Sequence, residues 1–182
     1  MIASKELPEA WLRGPIAGIP ASLQPVAHAL VQVREEVERA VAGLTPGQLG
    51  ARPAGVASLA FHLAHIPGSL DRLFTYARGE TLSEPQRRAA SAEKDPGAAP
   101  DAAALLTGLA GGIEGALARL REWPEASLLD PRSVGRAALP STVLGLLFHA
   151  AEHAQRHSGQ VIVTARLVRG LQGLLLTAAT VG

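Results

Sequence analysis

The sequence has no cysteine among its 182 residues. That excludes a disulfide framework, a thiolate nucleophile and any Cys-ligated zinc or iron–sulfur site, so a metal would have to be held by His and carboxylate. An excess of either charge is also missing: 17 Lys and Arg stand against 16 Asp and Glu, a net of +1. No long-range field attracts phosphate, and six aromatics (Trp11, Phe61, Phe74, Tyr76, Trp123, Phe148) are too few and scattered for a base-stacking platform. Nucleic acid is therefore not an expected partner. The uncharged stretch Gly14 to Val33 has membrane-spanning length, but Pro15, Pro20 and Pro25 break it and Ser22, Gln24, His28 and Gln32 make it polar, so no membrane span is expected. The opening MIASKELPEAW carries acidic residues and no apolar signal core, which makes a cytoplasmic protein the expectation.

What the chain does have is a 47% apolar content, ordinary to high for a core-forming chain, over a length that suits one domain spanning 1–182. Apolar residues recur at three and four positions rather than alternating, and no run has strand character, so an all-α fold is predicted. A first helix opens near Ser22 or Pro25 and follows Val26, Leu30, Val33, Val37 and Val41 to Gly43. After the linker LTPGQLGARPAG, Ser58 caps a second helix with a seam of Leu59, Leu63, Ile66, Leu70, Leu73 and Ala77, in which Pro67 should cause a kink. Residues 80–100 read as a long exposed connection with one helical turn around Gln86 to Ala90. A third helix runs from Asp101 to about Glu122 through Leu109, Ile113, Leu117 and Leu120, weakened by Gly108, Gly111, Gly112 and Gly115. Following a second connection, Ser141 is the cap expected for a fourth helix ending near Val168, after which the apolar tail is too short to assign. The long connections favour a four-helix bundle with at least one crossover over a simple up-and-down series.

The six histidines carry the chemistry. On the fourth helix His149, His153 and His157 follow at four-residue intervals, so their side chains line one face. An i, i+4 His pair lets two imidazoles reach one ion, and His62 or His65 on the second helix can supply a third. Three buried imidazoles in a row would each need a polar partner, and the surrounding Leu146, Ala150 and Val161 offer none, which favours a metal over a purely structural role. The isolated His28 reads instead as a hydrogen-bonded core histidine. Periodicity alone does not choose between His62 and His65.

The segments SLAFHLAHIPGSLDRLFTYARG and TVLGLLFHAAEHAQRHSGQV resemble the two signature helices of the DinB/YfiT-like superfamily, metal-dependent four-helix-bundle proteins, and the likeness extends over nearly the whole chain. In that family one ligand comes from the second helix and two from an H-x3-H pair followed by Gly-Gln. The resemblance implies a DinB/YfiT-like four-helix bundle with long crossover connections and a metal site of His65, His153 and His157. It places Gln160 where it could order a bound water or a ligand imidazole. His62 and His149 are extra histidines one turn before the implied ligands, open to roles as outer partners, alternative ligands or proton carriers.

A three-His site has an open position that suits activation of water or of a thiol, and imidazole ligands suit zinc, nickel, iron and copper alike. Characterised relatives include transferases and isomerases dependent on bacillithiol, mycothiol or glutathione. The resemblance therefore implies a low-molecular-weight-thiol-dependent S-transferase or isomerase with a divalent transition metal (Zn, Ni or Fe), a thiol cosubstrate and a small-molecule substrate; a homodimer is left open. Metal-dependent hydrolysis is the alternative enzyme reading, disfavoured because neither Glu152 nor Asp71 is placed as a general base. A non-catalytic helical module with a structural metal is the third, and would need His149 or His62 as a fourth ligand.

Overall fold

A computed structural model describes residues 7–93, 101–135 and 137–180, with residues 171–180 described by their backbone path alone. The helices are α1 (Gln24–Val41), α2 (Pro46–Gly50), α3 (Leu59–Ala77), α4 (Glu84–Ala92), α5 (Ala102–Arg121) and α6 (Val143–Thr180), with a hairpin of β1 (Pro131–Val134) and β2 (Leu139–Thr142) before α6. The fold is all-α in its architecture, as the 3–4 periodicity predicts.

The expected apolar seams become the core. On α1, Val26, Leu30, Val33, Val37 and Val41 are all buried. On α3 the buried line is Leu59, Leu63, Ile66, Leu70, Phe74 and Ala77, with Phe74 taking the place expected of Leu73 because its ring lies edge-on against Trp123. Each fully buried Leu, Ile or Phe contributes on the order of 1.5–3 kcal/mol. Ser58 caps α3, its Oγ accepting from Phe61 N at 3.2 Å, and Asp101 caps α5 through Ala103 N at 2.9 Å.

Around the bundle α1 packs on α6, α6 on α3, α3 on α5 and α5 on α1, so α1 and α3 are diagonal and so are α5 and α6. The chain crosses the bundle at 42–58 and again at 122–142. The connection at 80–100 joins neighbours, despite its length. In place of one turn it carries α4, opened by a capping box in which Ser83 Oγ accepts from Gln86 N and Gln86 Oε1 from Ser83 N. A second capping box, Thr45 with Gln48, turns the expected linker into the short α2.

Three further expectations change. The stretch before α6 contains paired strands, with Arg132 opposite Ser141, and Arg132 Nε donates to Ala77 O at 2.7 Å, tying the hairpin to the end of α3. Because Ser141 is held in β2, the cap of α6 moves to Thr142, whose Oγ1 accepts from Gly145 N at 3.0 Å. The first two amides of α6 are met by Asp130 O and Leu128 O. Finally, α6 continues past Val168 to Thr180, since nothing in GLQGLLLTAAT stops a helix firmly.

Helix α3 runs on through Pro67, and α5 passes close to it: a Cβ on Gly112 would lie 2.4 Å from Pro67 Cβ and 3.0 Å from its Cα. Gly112 is thus required by the contact rather than being a mere weakness of α5. By length and composition α5 is the one helix among the described residues that qualifies to cross a membrane; here Leu109, Ile113, Ala116, Leu117 and Leu120 turn into the bundle.

Candidate metal centre

Helices α3 and α6 bring their histidine-bearing faces together. Four-residue spacing puts Phe61 and His65 in one line along α3, with His62 turned further into the core, and aligns His149, His153 and His157 on α6. One nitrogen from each of His65, His153 and His157 lies within 4.8 Å of the other two, and among the described residues no fourth ligand atom joins this group. His65 Nε2 and His153 Nε2 are 3.0 Å apart, and the His157 ring centroid is 4.6 Å from both the other rings.

The far nitrogen of His65 is occupied in a way that suits a metal. His65 Nδ1–H donates to Glu93 Oε2 at 2.8 Å, which directs Nε2 toward the cluster. His157 uses Nδ1 for a 2.8 Å hydrogen bond with His62 Nδ1, leaving its own Nε2 free of that bond. His153 Nδ1 has only a long 3.4 Å contact from Arg156, whose guanidinium is otherwise clasped by Glu152 at 2.6 Å. Phe61 stacks on His65, ring planes 12° apart and centroids 5.1 Å apart, and limits rotation of the imidazole.

Burial, and then the neighbouring His65, push His62 and His153 down to about 4 and His157 to about 3. All three are therefore neutral near pH 7, the state in which imidazole donates to a metal. Burial raises Glu93, but its hydrogen bonds to His65 and Arg72 outweigh that and hold it below the usual carboxylate range. The donor set, its protonation and its outer hydrogen bonds fit a divalent transition metal.

The remaining sequence candidates part company here. His62 is buried against His157, whereas the His149 side chain is half exposed and its Nδ1 turns to Glu152 Oε2 at 3.2 Å. Gln160 is exposed and forms no hydrogen bond with the cluster among the described residues. His28 is bonded through Nε2 to Gly14 O at 2.9 Å, a structural role.

A family model of the DinB superfamily matches residues 29–161, a span that includes α3, α5 and all three clustered histidines. The chain belongs to the DinB superfamily. Its fold is also similar to the crystal structure of a conserved protein from Enterococcus faecalis, with a TM-score of 0.67 and 22% identity over 81% of this chain and 97% of that one. A search of curated proteins finds no match.

Two parts of this DinB superfamily site escape sequence reasoning. Glu93, expected on an exposed connection, is 7% exposed and reaches His65 from the end of α4. Arg72 holds the same carboxylate with two bonds, NH1 to Oε1 at 2.5 Å and NH2 to Oε2 at 3.0 Å. Arg72 had a signal, since it lies seven residues after His65 on one helix face. Glu93 had none, being 28 positions away across a connection. A cavity of about 450 Å³ lined by Arg78, Arg119, Trp123 and Arg132 involves none of the clustered histidines.

Proposed function

We propose that the protein binds one divalent transition metal through His65, His153 and His157 and uses the open position for a thiol cosubstrate, as an S-transferase or isomerase acting on a small electrophile. The observation that carries this reading is the convergence of three imidazoles on one point with no fourth ligand among the described residues. A divalent ion held there supplies Lewis acidity, sufficient to keep a low-molecular-weight thiol as thiolate near neutral pH. The chain has no cysteine, so that sulfur comes from a cosubstrate.

The residues around the cluster support thiol activation over hydrolysis. Metal-assisted hydrolysis normally uses a free carboxylate near the metal-bound water as general base. Glu93 has both oxygens engaged by His65 and Arg72, and Glu152 is engaged by Arg156 and His149. The same distances count against a closed structural site, because His62 faces the far side of His157 and His149 faces Glu152.

Elemental analysis of the untagged protein tests the site. His153→Ala and His157→Ala each lose stoichiometric metal, and His28→Ala keeps it; retention by either of the first two would refute the assignment. With cobalt as the ion, adding bacillithiol, mycothiol or glutathione produces a thiolate-to-cobalt charge-transfer band and supports conjugation of a chlorodinitrobenzene. No spectral response to any thiol, with turnover of esters or amides, would give the site to hydrolysis.

A further inference from the structure

We infer that Glu93 is the positioning residue of the centre: it fixes the His65 imidazole in its Nδ1–H form and so directs Nε2 to the ion. The inference rests on the metal site proposed above and adds a residue from outside the two histidine helices. An imidazole exposes one lone pair at a time, and a carboxylate on the far nitrogen settles which one, while also making the ligand more basic.

Three observations converge on Glu93. Its carboxylate is buried at the end of an otherwise exposed helix, where a lone charge would be costly. Arg72 binds it by both oxygens, which holds Oε2 at 2.8 Å from His65 Nδ1. The backbone of α3 also makes room for it: a Cβ at Gly68 would lie 2.0 Å from Glu93 Oε1 and 3.0 Å from its Cδ. A structural ion pair between Arg72 and Glu93 would explain the burial. It would not explain why the third hydrogen bond goes to the nitrogen of His65 opposite the cluster.

In Glu93→Gln the amide NH2 replaces one acceptor oxygen. Turned toward His65, it donates to Nδ1 and shifts the proton to Nε2, the nitrogen facing His153. Gly68→Ala reaches the same end differently, displacing the carboxylate while keeping every charge and every proposed ligand, and replacing Gly by the better helix former.

The experiment measures zinc affinity by competition with a chelator, and the His65 tautomer by 15N NMR of the metal-free full-length protein. Both variants are expected to bind zinc 10- to 100-fold more weakly than wild type and to show a loss of the Nδ1–H form at His65. Wild-type affinity and tautomer in Gly68→Ala would overturn the inference, even if Glu93→Gln failed to fold. Weakened affinity with an unchanged tautomer would also overturn it, since a merely structural Glu93 predicts that result. A wild-type protein that takes up no zinc, nickel, iron or cobalt would refute the metal site; the tautomer measurement would still decide whether Glu93 governs His65.

Discussion

Substituting alanine for three glycines of α5 should give opposite signs within one helix. Gly111 and Gly115 have nothing within 4 Å of the place a Cβ would occupy, so Ala there adds helix propensity and stabilises by up to about 1 kcal/mol. At Gly112 the same methyl meets Pro67, at 2.4 Å from Cβ and 3.0 Å from Cα. Carbon atoms rest at about 3.5–4.0 Å, and neither a proline ring nor a backbone Cα can rotate aside. α5 must therefore lift off α3 by about 1 Å, an overpacking cost of roughly 1–3 kcal/mol that outweighs the propensity gain. Gly112→Ala and Gly111→Ala should then differ by the overpacking cost, about 1–3 kcal/mol, or roughly 2–12 °C in melting temperature at 2–4 °C per kcal/mol. Thermal melts monitored by circular dichroism, with urea titration as a check on cooperativity, measure this. Equal stabilisation by the two substitutions would refute the close approach, and with it the packing that places Pro67 two residues beyond His65.

Acid should destabilise the metal-free protein. His62, His153 and His157 sit at about 4, 4 and 3 in the fold against 6.5 in the open chain, so below about pH 6.5 the unfolded state takes up protons that the folded state refuses. Stability then falls as pH drops from about 6.5 and levels off near 3–4; urea midpoints unchanged between pH 7 and 4.5 would contradict this. His62→Ala should weaken metal binding by about 10- to 100-fold through its contact with His157. His149→Ala, half exposed and directed at Glu152, should change affinity by less than that in the same chelator competition. Ser83→Ala removes half of the α4 capping box and should cost about 1 kcal/mol in that helix, read as faster amide exchange from Gln86 onward.

The parts legible in the sequence are those specified locally. A five-residue valine and leucine line on α1, the Ser58 cap, the start of α5 at Asp101 and the four-residue histidine spacing of α6 act within one or two turns, and the structure has them where the sequence reading puts them. Choosing His65 over His62 was not a local matter. Both lie on α3, and only the arrival of α6 makes one face the cluster and the other face the back of His157. The hairpin was illegible for a different reason. Its strands are Pro-Arg-Ser-Val and Leu-Pro-Ser-Thr, four residues each with a proline in both, and they persist because Arg132 is anchored on α3. Gly112 reads as a helix weakness until Pro67 occupies the space beside it, and Gly68 carries no signal in the sequence until Glu93 is placed against it.

Helix α4 buries none of its own residues, yet it delivers Glu93 to the cluster. It is attached by polar contacts at its ends: Gln86 Nε2 to Asp71 and Thr75 of α3 at one, and Glu93 to Arg72 and His65 at the other. With none of its residues fully buried, little resists its detachment beyond those few bonds. Residues 84–93 are thus expected to open in native-state fluctuations at a cost below the free energy of global unfolding, measurable as weak amide-exchange protection. Each such opening also releases the far nitrogen of His65. Loosening of the histidine cluster on its α3 side is accordingly expected at a frequency set by the stability of a nine-residue helix rather than of the bundle.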